Sequence, residues 1–246
     1  MPDRYLPNQG ILTGISVGPG DPELITLKGM RLLKTAPVVA FPAGVGDKPG
    51  IAEQIVDRYL PPNALKLPLT FPYVRDEKIL TRAWEVAAER VWEFLEKGEN
   101  VAFVCEGDVS FYSTFTYLAQ TLKKSHPEAI VQTVPGVSSP MAAVAALGIP
   151  LTIREQRLAV IPALYNVREL ESALNWADVV VLLKVSSVYQ QVWEILKQKN
   201  LLDRSYIVER ATLPTQTIYK GLSDRPNLKL SYFSLMIIKP IHTPRG

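Results

Sequence analysis

The chain has 246 residues, 47% of them hydrophobic and 21% charged, which is an ordinary balance for a globular protein of one large or two small domains. A formal net charge of +3 is too weak to indicate a nucleic-acid partner, although it would suit a small acidic substrate. A single cysteine excludes an internal disulfide, and with only two histidines we expect no metal site.

The beginning of the chain, MPDRYLPNQG, lacks the basic-then-apolar pattern of a secretory signal, and no apolar run reaches membrane-spanning length. We therefore expect a cytoplasmic enzyme or binding protein with no membrane partner. Cys105 lies in the apolar run VAFVC, which predicts a small core residue rather than a nucleophile.

In the first half, short apolar runs rich in β-branched residues alternate with segments of helical spacing. The predicted strands are 11–18, 37–42, 65–71, 101–107 and 129–136, and the predicted helices are 22–36, 51–60, 77–98 and 111–125. This alternation predicts an α/β domain over residues 1–137, with a mostly parallel five-stranded sheet covered on both faces.

The second half begins with a predicted helix over 138–148. The predicted strands that follow are 158–164, 178–185, 205–214, 215–222 and 231–240. Short turns separate the last three of these strands, so some of them should pair antiparallel. We predict a second α/β domain over residues 138–246, with a mixed five-stranded sheet.

The segment VGPGDPELITLKG has the strand, turn and helix order that often holds a phosphate. Glu23 replaces the third glycine of the dinucleotide fingerprint, and no Gly-Lys-Ser/Thr follows. Asp21 is a good helix N-cap and Pro22 a good first helical residue. Taken alone, the loop is more often a capped strand-to-helix turn than a binding site.

The same arrangement recurs in CEGDVSFYSTF and in TVPGVSSP, where small residues end a strand and polar groups follow. Ligands of parallel sheets bind outside the carboxyl ends of the strands, and Gly-rich loops let a ligand approach the backbone closely. Asp108 would suit a ribose diol, while Ser138 and Ser139 would cap a helix or bind the polar edge of a base. A nucleoside without phosphates fits best, and S-adenosylmethionine is such a ligand.

Three segments, VGPGDPELITLKG, EGDVSFYSTFTYLAQ and VPGVSSPMAAVAALGIPL, resemble the tetrapyrrole methyltransferases of cobalamin synthesis. The resemblance covers nearly the whole chain, and EGD followed by FYSTF is most similar to the branch that methylates carbon 20 of precorrin-2 or cobalt-factor II. It implies two α/β domains with the cofactor in the cleft between them, S-adenosylmethionine as the methyl donor, and a homodimer.

The resemblance also implies a set of cofactor-binding residues, carried over motif by motif. They are Pro19, Gly20, Gly107, Asp108, Phe111, Ser138, Ser139, Lys184, Ala211 and Thr212. Contacts at Lys184, where relatives often have Met, and at Ala211 would be largely through the backbone.

The chain departs from the family pattern in two places. Val109 follows Asp108 where the family usually has Gly-Asp-Pro, which removes a fixed turn. Phe41 and Pro42 stand where uroporphyrinogen methyltransferases carry an acidic residue after the second strand, which argues against that activity.

Methyl transfer from a sulfonium is an in-line displacement for which an enzyme mainly supplies orientation and a dry site. We assign no catalytic residue. The tetrapyrrole substrate carries many carboxylates, which arginines bind well, and a tyrosine near the Gly-Asp loop would pack on a planar macrocycle. The candidate substrate-binding residues are Arg75, Arg82, Tyr112, Arg154 and Arg157; for each arginine a solvated surface charge is the simpler interpretation.

Several alternatives stay open on the sequence. A related enzyme would methylate a different macrocycle carbon or, more remotely, ribosomal RNA or a modified histidine. A noncatalytic sensor would bind S-adenosylmethionine or a tetrapyrrole without turnover. A phosphate-dependent nucleotide enzyme is disfavoured by the acidic loop. Whether the substrate already contains cobalt, and which group takes the final proton, also stay open.

Overall fold

The computed structural model of the protein describes residues 9–44, 48–72, 74, 76–162 and 167–240. The chain divides into two compact units, Met1–Ser138 and Ser139–Gly246, called here the first and second unit. Arg75, one of the candidate substrate-binding residues, lies outside the described residues.

The first unit alternates strands and helices, and its five strands all pair parallel in the order β3-β2-β4-β1-β5. This confirms the predicted α/β class and parallel sheet. Its elements are β1 (Ile11–Ser16), α1 (Leu27–Leu33), β2 (Val38–Pro42), α2 (Ile51–Val56), β3 (Leu65–Leu69), α3 (Glu77–Leu95), β4 (Val101–Cys105), α4 (Thr114–Ser125) and β5 (Ile130–Val134).

Both faces of the first sheet are covered by apolar side chains. Leu12 and Phe103 point to the face on which α3 and α4 pack, whereas Ile15 and Val104 point to the face covered by α1 and α2. All five residues of β4 are buried, as expected for a central strand of a parallel sheet. Burial on both faces fixes the pairing register, and so it fixes where each strand ends.

Two helices of the first unit begin later than the periodicity predicts, because side-chain caps interrupt the pattern. In the predicted helix 22–36, Pro22–Leu24 forms one 3-10 turn and α1 starts afresh after Thr26, whose hydroxyl accepts the amide of Gly29 at 3.1 Å. Helix α4 begins at Thr114, since Ser113 caps it by accepting the amide of Phe115 at 3.1 Å.

The second unit has a mixed five-stranded sheet in the order β6-β7-β10-β8-β9, which confirms the predicted mixed sheet. Strands β6 and β7 run parallel, and the other neighbours pair antiparallel. Its elements are α5 (Ser139–Leu147), β6 (Leu158–Pro162), α6 (Arg168–Trp176), β7 (Val179–Leu183), α7 (Tyr189–Gln198), β8 (Ser205–Glu209), β9 (Thr217–Lys220) and β10 (Ser234–Ile238).

One hydrophobic cluster of the second unit lies on the face of this sheet that α6 and α7 cover. Val180, Ile207 and Met236, from three adjacent strands, are fully buried against the apolar sides of α6 and α7. Strand β10, the last of the described strands, lies between β7 and β8, so its beginning lies at the edge where those two strands end. The cofactor cleft that the resemblance implies between the two domains stays a prediction.

Candidate functional site

Three loops of the first unit meet at one edge of its sheet. Strands β4, β1 and β5 are parallel neighbours, so the loops that follow them leave from the same edge. The first loop (residues 17–21) follows β1, the second (106–112) follows β4, and the third (135–138) follows β5. The chain leaves β1 towards β2 and leaves β4 towards β5, which are opposite directions across the sheet. Ligands of open α/β sheets bind at such a switch point. We call these three loops the three-loop edge.

The first two loops are joined by their glycines. The amide of Gly107 donates to the carbonyl of Gly18 at 2.8 Å, and the amide of Gly18 donates to the carbonyl of Gly107 at 3.3 Å. Both residues have left-handed backbones, with φ of +74° at Gly18 and +72° at Gly107. Glycine adopts this conformation without the steric penalty of a Cβ, which explains its presence in both loops.

Asp108 joins the second loop to the third. Its Oδ1 accepts both the amide of Ser110, at 2.8 Å, and the hydroxyl of Ser110, while Oδ2 accepts the amide of Gly136 at 2.7 Å. Burial alone raises the pKa of this carboxyl, but the hydrogen bonds from Ser110 and Gly136 outweigh it, and the net pKa lies below its usual range.

These bonds give Asp108 a second role besides the predicted one. The residue is buried, and the protein itself supplies strong donors to both carboxylate oxygens. A ribose hydroxyl would therefore have to share or replace one of them. Ribose binding by Asp108 stays a prediction, whereas its hold on the third loop is a feature of the fold.

The sequence analysis did not identify Ser16, although this residue lies beneath all three loops. It is the last residue of β1 and is fully buried. Its hydroxyl accepts the amide of Val109 at 3.0 Å and donates to the carbonyl of Val134 at 2.8 Å. A buried serine ending an otherwise apolar strand is the one signal that would have pointed to it.

The other predicted residues of the first unit also lie in the three-loop edge. Pro19 is partly exposed and Gly20 is buried in the first loop. Phe111 and Tyr112 meet edge to face, with ring centroids 5.0 Å apart. Tyr112 is 51% exposed and has a left-handed backbone (φ +52°), which is uncommon for a bulky residue. Ser138 ends the third loop and is partly buried.

In the second unit, the predicted cofactor-binding residues Lys184, Ala211 and Thr212 lie at the edge where β7 and β8 end and β10 begins. Lys184, Arg210 and Thr212 have left-handed backbones there, with φ of +57°, +48° and +67°. Non-glycine residues in this conformation are strained and cluster at functional sites. The ammonium of Lys184 lies 5.2 Å from the ring centre of Tyr232, and Ala211 is buried. Ser139 begins α5.

Glu209, at the end of β8, is a further residue that the sequence analysis missed. It is only 5% exposed, yet it is a carboxylate in an otherwise apolar strand. It accepts the amide of Ser231 at 2.6 Å and the hydroxyl of Tyr219 at 3.1 Å. Burial first, and then the bond to Glu209, raise the pKa of Tyr219, so its phenol stays a donor at neutral pH.

The described candidate arginines differ in how they are held. Arg82 is exposed, and its ion pair with Glu85, at 3.4 Å, lies on the surface. Arg154 is exposed with φ of +50°. Arg157 is held by Asp178, whose Oδ2 accepts its backbone amide at 2.8 Å and lies 3.4 Å from its guanidinium. This contact gives Arg157 a structural role in the second unit, and its contact with the substrate stays a prediction.

Arg82 borders a groove of about 310 Å³ between the end of β3 and helix α3. Its walls are mainly apolar and include Leu69, Pro72, Ile79 and Val86. Strand β3 ends at the same edge as β4, two strand spacings or roughly 10 Å away. The groove therefore belongs to the same side of the first unit as the three-loop edge.

The described part of the chain contains no cluster of three or more His, Cys, Asp or Glu side chains that could hold a metal ion. Cys105 is buried at the end of β4, and burial raises the pKa of its thiol to about 12. This confirms its prediction as a core residue. No helix within the described ranges is both long enough and apolar enough to cross a membrane.

Comparison with known proteins gives three results. The family model described as "Tetrapyrrole (Corrin/Porphyrin) Methylases" matches residues 12–225. The cobalamin biosynthesis protein CobIJ of Mycobacterium tuberculosis is 36% identical over 238 residues, which are 94% of this chain but only 46% of that protein, so the chain spans about half its length. The cobalt-precorrin-2 C(20)-methyltransferase of Salmonella typhimurium is 33% identical over 93% of this chain and 96% of its own.

Solved structures with the same fold are more distant in sequence. Cobalt precorrin-4 methyltransferase superimposes with a TM-score of 0.70 at 22% identity, covering 93% of this chain and 94% of its own. A uroporphyrin-III C-methyltransferase from Thermus thermophilus, complexed with S-adenosylhomocysteine, superimposes with a TM-score of 0.66 at 22% identity, covering 94% and 97%. At this identity the likeness shows the fold.

Proposed function

Since the chain belongs to the tetrapyrrole (corrin/porphyrin) methylase family, we propose that it transfers a methyl group from S-adenosylmethionine to carbon 20 of precorrin-2 or cobalt-factor II. The observation that carries the proposal is the match, over nearly the full length of both chains, to a relative named for methylation at that carbon. The product of the cofactor would be S-adenosylhomocysteine.

The three-loop edge fits a cofactor that has no phosphate. Asp21 caps the 3-10 turn after the first loop, and its Oδ1 accepts the amide of Glu23 at 2.8 Å. The amide that would bind a phosphate therefore already donates to a side chain that, like phosphate, is negatively charged. This disfavours ATP or a dinucleotide, and it leaves the adenosine and sulfonium of S-adenosylmethionine compatible with the site.

The residues of this chain supply orientation rather than proton transfer. When bound, S-adenosylmethionine supplies an activated methyl group on a sulfonium, so the transfer needs alignment and exclusion of water. The Gly18–Gly107 pair and the Asp108–Gly136 bond hold the loops in one arrangement, which is the preorganisation that such a displacement requires. We propose Pro19, Gly20, Phe111, Ser138, Ser139, Lys184, Ala211 and Thr212 as the remaining cofactor-binding residues.

The substrate is a planar ring with carboxylate side chains, and two described features of the first unit suit it. Tyr112 offers an exposed aromatic face in the three-loop edge. Arg82 offers an exposed guanidinium beside an apolar groove on the same side of the sheet. A guanidinium binds carboxylate with two parallel hydrogen bonds, and we propose Arg82 as a contact for a peripheral carboxylate. Arg154 stays a weaker candidate for the same role.

An anaerobic label-transfer assay tests the proposal. Pure protein is mixed with methyl-labelled S-adenosylmethionine and with precorrin-2, cobalt-factor II or uroporphyrinogen III, and the label is followed by mass and carbon NMR. Label at carbon 20 of either of the first two supports the proposal, and the better substrate assigns the cobalt state. Label at another carbon indicates a sister enzyme, cofactor binding without transfer indicates a sensor, and no cofactor binding refutes the proposal.

Two further parts of the proposal concern the protein as a whole. We propose that the reaction takes place in the cytoplasm, and that the chain forms a homodimer, as the resemblance implies. Sedimentation velocity of the pure chain, at concentrations from micromolar upwards, gives the oligomeric state. A single monomeric species across that range would contradict the dimer without affecting the proposed reaction.

A further inference from the structure

We propose that Ser16 is a positioning residue for the cofactor: its buried hydroxyl holds two loops of the three-loop edge in the arrangement that binds S-adenosylmethionine, and so it sets cofactor affinity. The proposal rests on the proposed function, because it assumes that the three-loop edge binds the cofactor. Ser16 itself is fully buried, so it acts through the backbone groups that it holds rather than by touching a ligand.

The hydroxyl joins two backbone groups that are far from it in sequence. It accepts the amide of Val109, 93 residues away, and donates to the carbonyl of Val134, 118 residues away. A hydroxyl has one proton, and Val134 at 2.8 Å is a nearer acceptor than Asp108 Oδ2 at 3.4 Å. Ser16 therefore ties the second loop and the end of β5 to β1 with one atom.

The side chain of Ser16 is also closely packed against the third loop. A Cβ added to Gly136 would lie 2.4 Å from Cβ of Ser16, so the third loop passes directly over this side chain. Asp108 then binds the amide of the same Gly136. Asp108 thus joins the second loop to the third, and both of these loops contact Ser16.

Loss of the hydroxyl would leave two groups of the backbone without a partner. Val109 and Val134 are both buried, and buried amides and carbonyls without partners are strongly disfavoured. The loops would then populate other arrangements in which these groups reach water. Apparent affinity falls in proportion to the fraction of molecules in the binding-competent arrangement, so the loss should appear in cofactor binding.

Ser205, in the second unit, is a matched control. It is also fully buried, and its hydroxyl donates to the carbonyl of Leu201 at 2.8 Å. It begins β8, at the opposite end of that strand from Arg210 and Thr212, and it belongs to the second unit. Ser205→Ala therefore removes one buried hydrogen bond without touching any loop assigned to the cofactor.

The experiment compares full-length wild type, Ser16→Ala and Ser205→Ala by thermal unfolding, by calorimetric titration with S-adenosylhomocysteine and by steady-state kinetics. Both variants should melt at lower temperature. Only Ser16→Ala should weaken S-adenosylhomocysteine binding, by about tenfold, with KM for S-adenosylmethionine rising more than kcat falls. If Ser16→Ala does not fold, Ser16→Cys keeps the shape with a weak hydrogen-bonding group and should show the same split.

The outcomes separate this inference from the proposed function. Wild-type affinity in Ser16→Ala or Ser16→Cys, or an equal loss of affinity in Ser205→Ala, would overturn the positioning role and make Ser16 a purely structural residue. Wild type that binds neither S-adenosylmethionine nor S-adenosylhomocysteine would refute the proposed function, and this inference with it.

Discussion

Gly18 and Gly107 pair antiparallel although they follow two parallel strands, exchanging hydrogen bonds of 2.8 and 3.3 Å. Parallel β1 and β4 cannot continue into such a pair unless both chains turn sharply, and the left-handed backbones at both glycines provide the turn. The two loops are therefore joined into one structural unit. A change at either glycine should be felt in both.

We expect Gly107→Ala to lower the free energy of unfolding by about 1 to 2 kcal/mol, the penalty of a left-handed backbone with a Cβ. No described heavy atom lies within 4 Å of the added Cβ, so the backbone conformation is the whole cost. Gly18→Ala should cost more, because its Cβ would also lie 3.0 Å from Cβ of Leu24. Urea denaturation measures both.

Gly148→Ala is the matched control for that series. Gly148 has φ of +70°, and, as at Gly107, no described heavy atom would lie within 4 Å of an added Cβ. Unlike Gly107, it follows α5 in the second unit. It should lose as much stability as Gly107→Ala and keep wild-type affinity for S-adenosylhomocysteine, whereas Gly107→Ala should lose affinity. Equal affinities in the two variants would show that the Gly18–Gly107 pair does not shape the cofactor site.

Asp108→Asn should lower the free energy of unfolding at pH 7 by about 1 to 3 kcal/mol, because an amide cannot accept from Ser110 and Gly136 as the carboxylate does. The folded-state pKa of Asp108 is lowered, so its stabilisation is present above the ordinary pKa near 4 and is lost as pH falls through the folded value. The difference between wild type and variant should shrink below pH 4 in urea titrations.

Asp203→Asn controls for the loss of a carboxylate as such. Asp203 is exposed and accepts the hydroxyl of Ser223 at 2.5 Å. Its substitution should change stability at pH 7 by less than about 0.5 kcal/mol, as expected for a surface residue. A difference between wild type and Asp108→Asn that stayed constant from pH 7 to pH 3 would contradict the role given to the Asp108 charge.

Arg82→Leu should raise KM for the tetrapyrrole by about tenfold and leave S-adenosylhomocysteine affinity unchanged, since a charge-assisted bond to a carboxylate is lost. Stability should hardly change, because the ion pair of Arg82 with Glu85 is exposed. Lys124→Leu removes an exposed charge in the last turn of α4, at the opposite edge of the sheet, and should leave KM unchanged. Equal effects of the two substitutions would point to long-range charge rather than contact.

Cys105 should not react with thiol reagents in the folded protein at pH 8. Burial raises the pKa of its thiol to about 12, so almost no thiolate is present, and the residue is only 3% exposed. Reaction should begin only in urea, at the concentration where the first unit unfolds. Fast stoichiometric labelling of native protein would contradict the core assignment.

Much of the fold follows from local pattern. The alternation of apolar runs and helical spacing predicts both sheets, because burial on two faces leaves a continuous apolar strand and short turns imply antiparallel pairing. The order of the strands does not follow. β1 lies between β4 and β5, and β10 lies between β7 and β8, which depends on contacts between distant segments that no local signal encodes.

The candidate site was predicted as a set of loops rather than as a set of contacts. At Gly18 and Gly107 the residue type itself indicates a left-handed backbone. At Lys184 and Arg210 it does not, because there the fold imposes the strained conformation on residues that rarely adopt it. The partners of Asp108 and Ser16 were also missed, because hydrogen bonds between loops about 30 to 120 residues apart are set by strand register.

The central position of β1 has a consequence for how the protein is made. β1 leaves the ribosome before the segments that pair with Ser16, which follow 93 and 118 residues later; at cellular translation rates this is a delay of roughly 6 to 24 s for the second. Until β4 has emerged β1 has two open edges, and until β5 has emerged it still has one. Ribosome-bound chains that end before β5 should therefore engage chaperones, and the ability to bind cofactor should appear abruptly once the third loop has emerged.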